Sequence, residues 1–362
     1  MQMRRGLILV SLCLLPVVSI AAETHGRIRF QLGEEYDTNV HRVYNTSQQE
    51  DTIDAHDRVI PDGLTRLLFQ TQLELNAGLQ QANLDYMLGV KIFHHQTREN
   101  VLENWLQITY QYQFLEFFTG GARLELKDET LAFHDRDYRL HQAELFERFK
   151  PLDWLKIELS EGGRYFLFKP DNYHDVQYDE KYSYSGPLLA LRLTVGREQD
   201  LSGGVAYDVD WRFFQDDKQS RDIRQSATAQ VRYQLSWFIL RRLIVEGMYT
   251  FSWNQSNRED FSLRWHRLRL LISVELPADF TLHLMGTLQF TNYFNGMYHV
   301  VEPDSDENEN ALVIKFSYRL GKGFSLVLNG GLYRDSIYSG NVNLPSYSRE
   351  VVMLGFAYDF VQ

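Results

Sequence analysis

The sequence predicts an all-β fold: a single transmembrane antiparallel up-and-down β-barrel of about 16 strands, within a range of roughly 14–18. Three observations predict it. Stretches of about ten residues alternate apolar and polar side chains along most of the chain, the period of a strand with one greasy and one wet face. The links between these stretches alternate short and long, as periplasmic turns and extracellular loops do. Phenylalanine (23) and tyrosine (21) are abundant although 23% of the residues are charged. That composition suits lipid-facing strands wrapped around a polar interior.

Residues 1–21 read as an export signal, which leaves 22–362 for the barrel. Arg4 and Arg5 form the positive start, Leu7 to Val18 the apolar stretch, and Ser19-Ile20-Ala21 the small-residue cleavage site. The apolar stretch is too short for a membrane-crossing helix, which needs about 20 residues. The single cysteine, Cys13, lies inside it, after Leu12 rather than the small residue a lipoprotein signal requires. No later segment carries an apolar run long enough to cross as a helix.

The strands follow in order. The first covers residues 27–36 with Ile28, Phe30, Leu32 and Tyr36 outward, and a polar link spans 37–63. The second shows Leu67, Phe69, Thr71, Leu73, Leu75, Ala77 and Leu79 on one face, with Gln70, Gln72, Glu74 and Asn76 on the other. A short link at 80–82 leads to Leu84, Tyr86, Leu88, Val90 and Ile92; the fourth strand presents Leu106, Ile108, Tyr110 and Tyr112. A turn at Leu115-Glu116-Phe117 opens the fifth, with Phe118, Ala122, Leu124 and Leu126. The sixth, 141–149, mixes its phases and ends at a turn over Pro151-Leu152-Asp153.

The seventh to eleventh strands are regular. They carry Leu155 to Leu167, Leu189 to Val195, Val205 to Phe213, Ala227 to Trp237 and Leu243 to Trp253 on their outward faces. The twelfth begins with Phe261, Leu263 and Trp265, then shifts phase to Leu268, Leu270, Ile272 and Val274. A one-residue slip flips every side chain, so the shift predicts a β-bulge near His266. The last four strands follow turns at Pro277-Ala278-Asp279 and Gly321-Lys322-Gly323 and end with Val352, Leu354, Phe356, Tyr358 and Phe360 outward. Pro61, Pro151, Pro170, Pro277, Pro303 and Pro345 fall in the predicted links, where no ladder donor is lost; Pro187 is the exception. Trp211, Phe213, Trp237, Trp253, Trp265, Phe280 and Phe324 read as aromatic girdles.

The wet face is where a transport function would reside. It carries charges of both signs, and a barrel of this size leaves an aqueous interior. Asp208, Asp210, Arg212, Arg232, Arg242 and Glu246 sit on three consecutive strands and form the candidate selectivity cluster. A mixed lining fits a water-filled passage for polar or sugar-like solutes and does not fit a lane for fatty acids. The same charges can simply pair across the wall, which is the plainer reading for each one. The net charge of −11 argues against a nucleic-acid partner. Asp304-x-Asp306-x-Asn308 opens like a calcium loop, but Glu309 replaces the required glycine and Lys315 the bidentate glutamate, so it reads as an acidic loop. His94-His95 reads as a rim pair rather than a metal site. His283 lacks an obvious serine partner, so the expectation is a non-enzymatic protein without cofactor or metal.

The segment Glu34-Glu35-Tyr36-Asp37-Thr38-Asn39-Val40-His41-Arg42 resembles the Tyr-Asp-x-Asn-Val segment that opens outer-membrane barrels of the β-barrel porin 2 type. That resemblance covers nine residues and rests on Tyr36, Asp37, Asn39 and Val40. It implies association with exopolysaccharide export systems. Surface-lipoprotein assembly modulators open their barrels similarly, but they carry a helical-repeat domain ahead of the barrel. Asp37 and Asn39 also suit a turn leaving the sheet, since their side chains bond nearby backbone. Phe356, Tyr358 and Phe360 resemble the terminal aromatic strand that barrel-insertion machinery reads, extended here by Val361-Gln362.

The expected protein is therefore a pore in the outer membrane of a Gram-negative bacterium, in contact with lipid and lipopolysaccharide, passing polysaccharide or small polar solutes. Polysaccharide-export components are the implied partners. The alternative is a non-conducting surface barrel whose loops serve adhesion or protein assembly.

Overall fold

The computed structural model describes residues 23–39, 60–131, 137–169, 183–197, 200–215, 221–236, 240–257, 262–293, 310–335, 338–339, 342–343 and 347–361. The strands are β1 (Glu23–Asp37), β2 (Asp62–Ala77), β3 (Gln80–Phe93), β4 (Val101–Leu115), β5 (Phe118–Leu131), β6 (Asp137–Leu152), β7 (Leu155–Lys169), β8 (Tyr184–Gly196) and β9 (Leu201–Phe214). They continue as β10 (Arg221–Leu235), β11 (Arg242–Ser256), β12 (Leu263–Glu275), β13 (Phe280–Tyr293), β14 (Asn310–Gly321), β15 (Phe324–Asp335), β16 (Tyr338–Ser339), β17 (Val342–Asn343) and β18 (Tyr347–Val361). β1 to β15 pair in sequence order, and β18 closes the ring between β15 and β1. The result is a closed antiparallel transmembrane barrel of 16 strands. β16 and β17 form a separate two-stranded sheet in the last long link.

Alternation decides the two surfaces. Phe356, Leu354 and Val352 of β18 stand 57%, 55% and 56% exposed on the outside, while Met353 and Ala357 on the alternate positions are 1% exposed. A folded protein in water does not leave such a continuous apolar belt uncovered. Among the described residues no helix is long and apolar enough to cross a membrane. All but the first and last strands begin and end at links, and both β1 and β18 have their free ends on the side of the short turns. Trp211, Phe213, Trp253, Phe280 and Phe324 all lie on outward positions of the ladder.

The seam between β1 and β18 is where the chain becomes a ring. Arg27 to Asp37 pair without interruption against Val361 to Val351. Gly33 and Gly355 face each other there, and a Cβ on Gly355 would fall 2.4 Å from the Leu32 carbonyl oxygen. At the rim the seam is locked by the Tyr36-Asp37-x-Asn39 segment. Asp37 and Asn39 are fully buried. Asp37 accepts the Asn39 backbone N–H at 3.0 Å, the Asx-type turn expected of this residue pair. Its other oxygen takes the Arg349 guanidinium at 2.8 Å. Asn39 donates to the Ser348 carbonyl at 3.2 Å, and Thr38 exchanges two bonds with Glu350. Val40 lies outside the described residues.

Several sequence expectations are corrected. No irregularity occurs at His266: β12 pairs in continuous register with both neighbours. Leu263 and Trp265 instead point inward, 6% exposed each, and the outward positions of that stretch go to Arg264 and His266. His266 packs beside Phe251 with ring centroids 5.0 Å apart and bonds the Tyr249 hydroxyl at 2.7 Å. Trp265 is therefore a lumen residue and not part of a girdle. The polar link 37–63 is shorter than expected, because Asp37, Asp62 and Gly63 are in strands, and residues 80–82 belong to β3. Pro151 sits in the last residues of β6, beside a register shift between Phe149 and Leu152. At Pro187 the bridges from β8 to β9 skip Gly186 and Pro187. Proline has no N–H to give, and a Cβ on Gly186 would overlap the Trp211 carbonyl. Trp237, Phe261 and the acidic segment 304–309 lie outside the described residues.

Two carboxylates stand among apolar residues on the outer face away from the rim. Glu147 and Glu161 point outward near the middle of β6 and β7, on opposing registers two residues apart. A carboxylate in hydrocarbon costs free energy even near the wall. Converting both to leucine raises the stability of the folded barrel by about 1–2 kcal/mol per site, measured as a higher urea midpoint in lipid vesicles. Arg349→Ala acts oppositely, since it strands the buried Asp37 carboxylate. Its expected cost is about 3 kcal/mol, read as a lower temperature for loss of the compact gel band, whereas the exposed Arg241→Ala leaves that temperature unchanged.

Candidate channel lining

Inward positions of β5 to β9 place a run of alternating charges at neighbouring heights. Arg123 on β5 opposes Glu144 on β6 and reaches it at 3.3 Å. Glu158 on β7 accepts from Arg148 at 2.9 Å and Arg192 at 3.0 Å, and lies 3.8 Å from Arg123. Arg192 also approaches Asp208 on β9 at 3.7 Å. Asp210 holds Arg164 at 3.1 Å and Arg212 at 2.9 Å. Register explains the contacts: Arg148 opposes Glu158, and Glu158 opposes Arg192. Glu144, Glu158 and Asp210 are buried and each accepts from at least one guanidinium, while Asp208 is partly exposed, so the lining is largely a cross-strand ladder of charge-assisted hydrogen bonds.

Aromatic rings stiffen this wall from inside. Phe146, 2% exposed, carries Arg123 and Arg148 over its face at 5.5 Å and 5.3 Å. Arg212 lies 4.7 Å from the Tyr184 ring, and Arg267 lies 4.5 Å from Trp265. Tyr138, Leu140, Phe166 and Tyr184 form an apolar cluster within the lumen. The interior is thus narrowed on the β5–β9 side by stacked rings and paired cations rather than lined only by water-facing charge.

The six-residue cluster expected from sequence divides in two. Asp208, Asp210 and Arg212 join the ladder. Arg232, Arg242 and Glu246 lie nearer the short-turn end: Arg232 opposes Ser202, six residues along β9 from Asp208, which is about 20 Å of strand. Arg232 opposes Glu246 in register, and Arg242 stands 3.8 Å from Glu275 and donates to Gln234 at 3.2 Å. Among the ladder members outside those six are Glu144 and Arg148. They sit on β6, whose phase was scrambled by inward Phe146 and outward Glu147. The inward series Gln142, Glu144, Phe146, Arg148 was the signal available.

His95 is held by Asp62 at 2.9 Å, with the Asp62 carboxylate also accepting the His95 and Gln96 backbone N–H groups. It closes the rim between β2 and β3, and among the described residues no third metal-ligating side chain joins it. His283 does face a serine, Ser273, directly across β12, but no hydrogen bond joins them. Phe356, Tyr358 and Phe360 are exposed on the outer face of β18, with Tyr358 packed on Phe324 at 4.7 Å.

No family model matches the chain, and no curated protein matches it. Solved structures do. The outer membrane channel DcaP of Acinetobacter baumannii is similar over 94% of this chain and 97% of its own, at 14% identity and a TM-score of 0.53. The anion-selective porin from Comamonas acidovorans matches over 94% of this chain and 100% of its own, at 12% identity and a TM-score of 0.49. The likeness to DcaP shows a shared fold, that of an outer-membrane channel barrel.

Because the two halves of the charge set differ in position, they separate in their effects. Glu158→Gln removes the carboxylate shared by three arginines and moves the zero-current potential in a salt gradient toward anion preference. Neutralising Arg232 and Arg242 to glutamine moves it toward cation preference. Reversal potentials in planar bilayers measure both.

Proposed function

We propose that this protein is a passive porin-like channel in the outer membrane of a Gram-negative bacterium. The observation that carries the reading is the pairing of a closed 16-strand ring with a hydrogen-bonded charge ladder on its inner wall. Charged and amide side chains have no reason to line an interior that contains no water. On this reading, movement through the lumen follows the solute's own gradient.

The cargo under this proposal is small polar solutes or a polysaccharide chain. Both signs of charge and the abundant glutamines along β2 to β4 favour hydroxyl-rich over apolar cargo. Polysaccharide export rests on the resemblance of Tyr36, Asp37, Asn39 and Val40 to the β-barrel porin 2 type. The rim geometry gives those residues a separate task, since Asp37 and Asn39 tie β1 to β18. Residues 1–21 would direct export and be removed. Phe356, Tyr358 and Phe360 would present the outward aromatic edge that insertion machinery reads.

Purified protein added to a planar lipid bilayer is expected to produce discrete, ohmic current steps in potassium chloride. A barrel that inserts, shown by protease protection, yet gives no steps would contradict the channel reading and favour a surface barrel working through its loops.

A further inference from the structure

We propose that a recess in the inner wall of β1 to β4 is a binding subsite for a single pyranose ring of a passing saccharide. The recess has a volume of about 140 Å³, and its lining includes Arg27, Arg29, Gln70, Gln72, Asp85, Met87 and Trp105. A closed apolar cavity of roughly 150 Å³ holds one benzene ring, so this recess is on the scale of a single ring rather than of a longer saccharide. The inference rests on the channel reading only in that the sugar must reach the lumen.

Two adjacent rungs of the ladder build it. Arg29 opposes Gln70, which opposes Met87, which opposes Trp105. One step further, Arg27 opposes Gln72, which opposes Asp85. The alternation of β1 to β4 puts all of these side chains on the inner face. Arg29, Gln70 and Met87 stand near the middle of their strands.

The hydrogen-bonding inventory identifies the ligand. Among the described residues, the side chains of Gln70, Gln72 and Asp85 make no hydrogen bond, so their donors and acceptors face the lumen unused. Arg27 spends two N–H groups on Asp359, at 3.0 Å and 2.8 Å. Arg29 has only a 3.8 Å ion pair with the same carboxylate, leaving most of its five donors available. The lining carries Arg27, Arg29 and Asp85, and both arginines also lie beside Asp359. Planar amides, a carboxylate and a guanidinium fork match the paired donor-acceptor hydroxyls of a sugar.

Trp105 supplies the apolar side. Its indole N–H is tied to Glu125 at 2.9 Å, which fixes the ring and leaves its π-face for contact. A pyranose has two such surfaces: C–H groups on its faces and hydroxyls at its edge. A fixed ring beside unused amides answers both.

Isothermal titration calorimetry of the full-length folded barrel in detergent, with maltohexaose and cellohexaose as probes, tests this. Saturable binding of at least one is expected, weakened about tenfold in Trp105→Ala, the effect of about 1.4 kcal/mol. Gln70→Ala and Asp85→Asn are expected to weaken it as well, and Trp154→Ala, in an exposed turn, to leave it unchanged. Heat-modifiable gel migration confirms that each variant is folded. Absence of saturable heat with both sugars, or equal affinity in wild type and all three recess variants, overturns the proposal. Because calorimetry needs no current, the two readings fail separately. Conductance without sugar binding removes the subsite and keeps the channel; binding without conductance does the reverse.

Discussion

Hydrocarbon offers no hydrogen bonds, so every backbone N–H and C=O inside it must find a partner within the chain. A sheet satisfies that requirement only if its first and last strands meet. In this protein β1 and β18 meet over eleven consecutive residue pairs, Arg27–Val361 through Asp37–Val351. The rest of the architecture follows from that junction. Strand order, the placement of both free strand ends on the short-turn side, and the separation of a greasy exterior from a polar interior are all consequences of a ring without edges. The buried Asp37–Arg349 pair stands where the ring would first open, at the rim, and the facing glycines Gly33 and Gly355 let the two backbones approach closely.

Closure also shapes the lumen. An even, two-residue alternation sends every second side chain inward at fixed heights, so charges on neighbouring strands arrive opposite one another. Glu158 meets Arg148 on one side and Arg192 on the other for this reason alone. The pairs neutralise one another locally and leave a wall that is polar without a strong net charge. Where cross-strand neighbours are amides and an indole, as on β2 to β4, the same geometry leaves hydrogen-bonding capacity unused. The inner surface is therefore divided between a paired, ring-stacked wall and a recess with open valences.

Much of this was legible in the sequence. Period two with outward Leu, Phe and Tyr is specific enough to give the strand number and the inside-outside assignment of fourteen of the sixteen barrel strands, all but β6 and the start of β12, because lipid outside and water inside penalise any slip. It fails where a strand rises out of the hydrocarbon. At the rim end of β12 the outward positions take Arg264 and His266 and the inward ones take Leu263 and Trp265, and the reversed polarity mimics a bulge. β6 misleads for a related reason: inward Phe146 stacks under two arginines, and outward Glu147 faces lipid. Alternation reports which face a residue occupies, not which residue it touches. The union of Asp208, Asp210 and Arg212 with Arg164 and Arg192, and their distance from Arg232 and Arg242, depend on register between strands, which no single strand encodes. The Tyr36-Asp37-x-Asn39 segment was visible as a turn, but its hold on Arg349 joins residues more than three hundred positions apart.

The junction itself can be measured. Gln31 and Ala357 face each other across the seam, and residues so paired lie about 4.5–5.5 Å apart at Cα, within the span of a disulfide. With cysteines at both positions and Cys13 removed, the folded barrel in detergent should oxidise to a single intramolecular species. That species should migrate as a covalent circle after heat denaturation and revert on reduction. A folded, protease-resistant protein in which those two thiols stay free, or bond only between molecules, would show that the first and last strands are not neighbours.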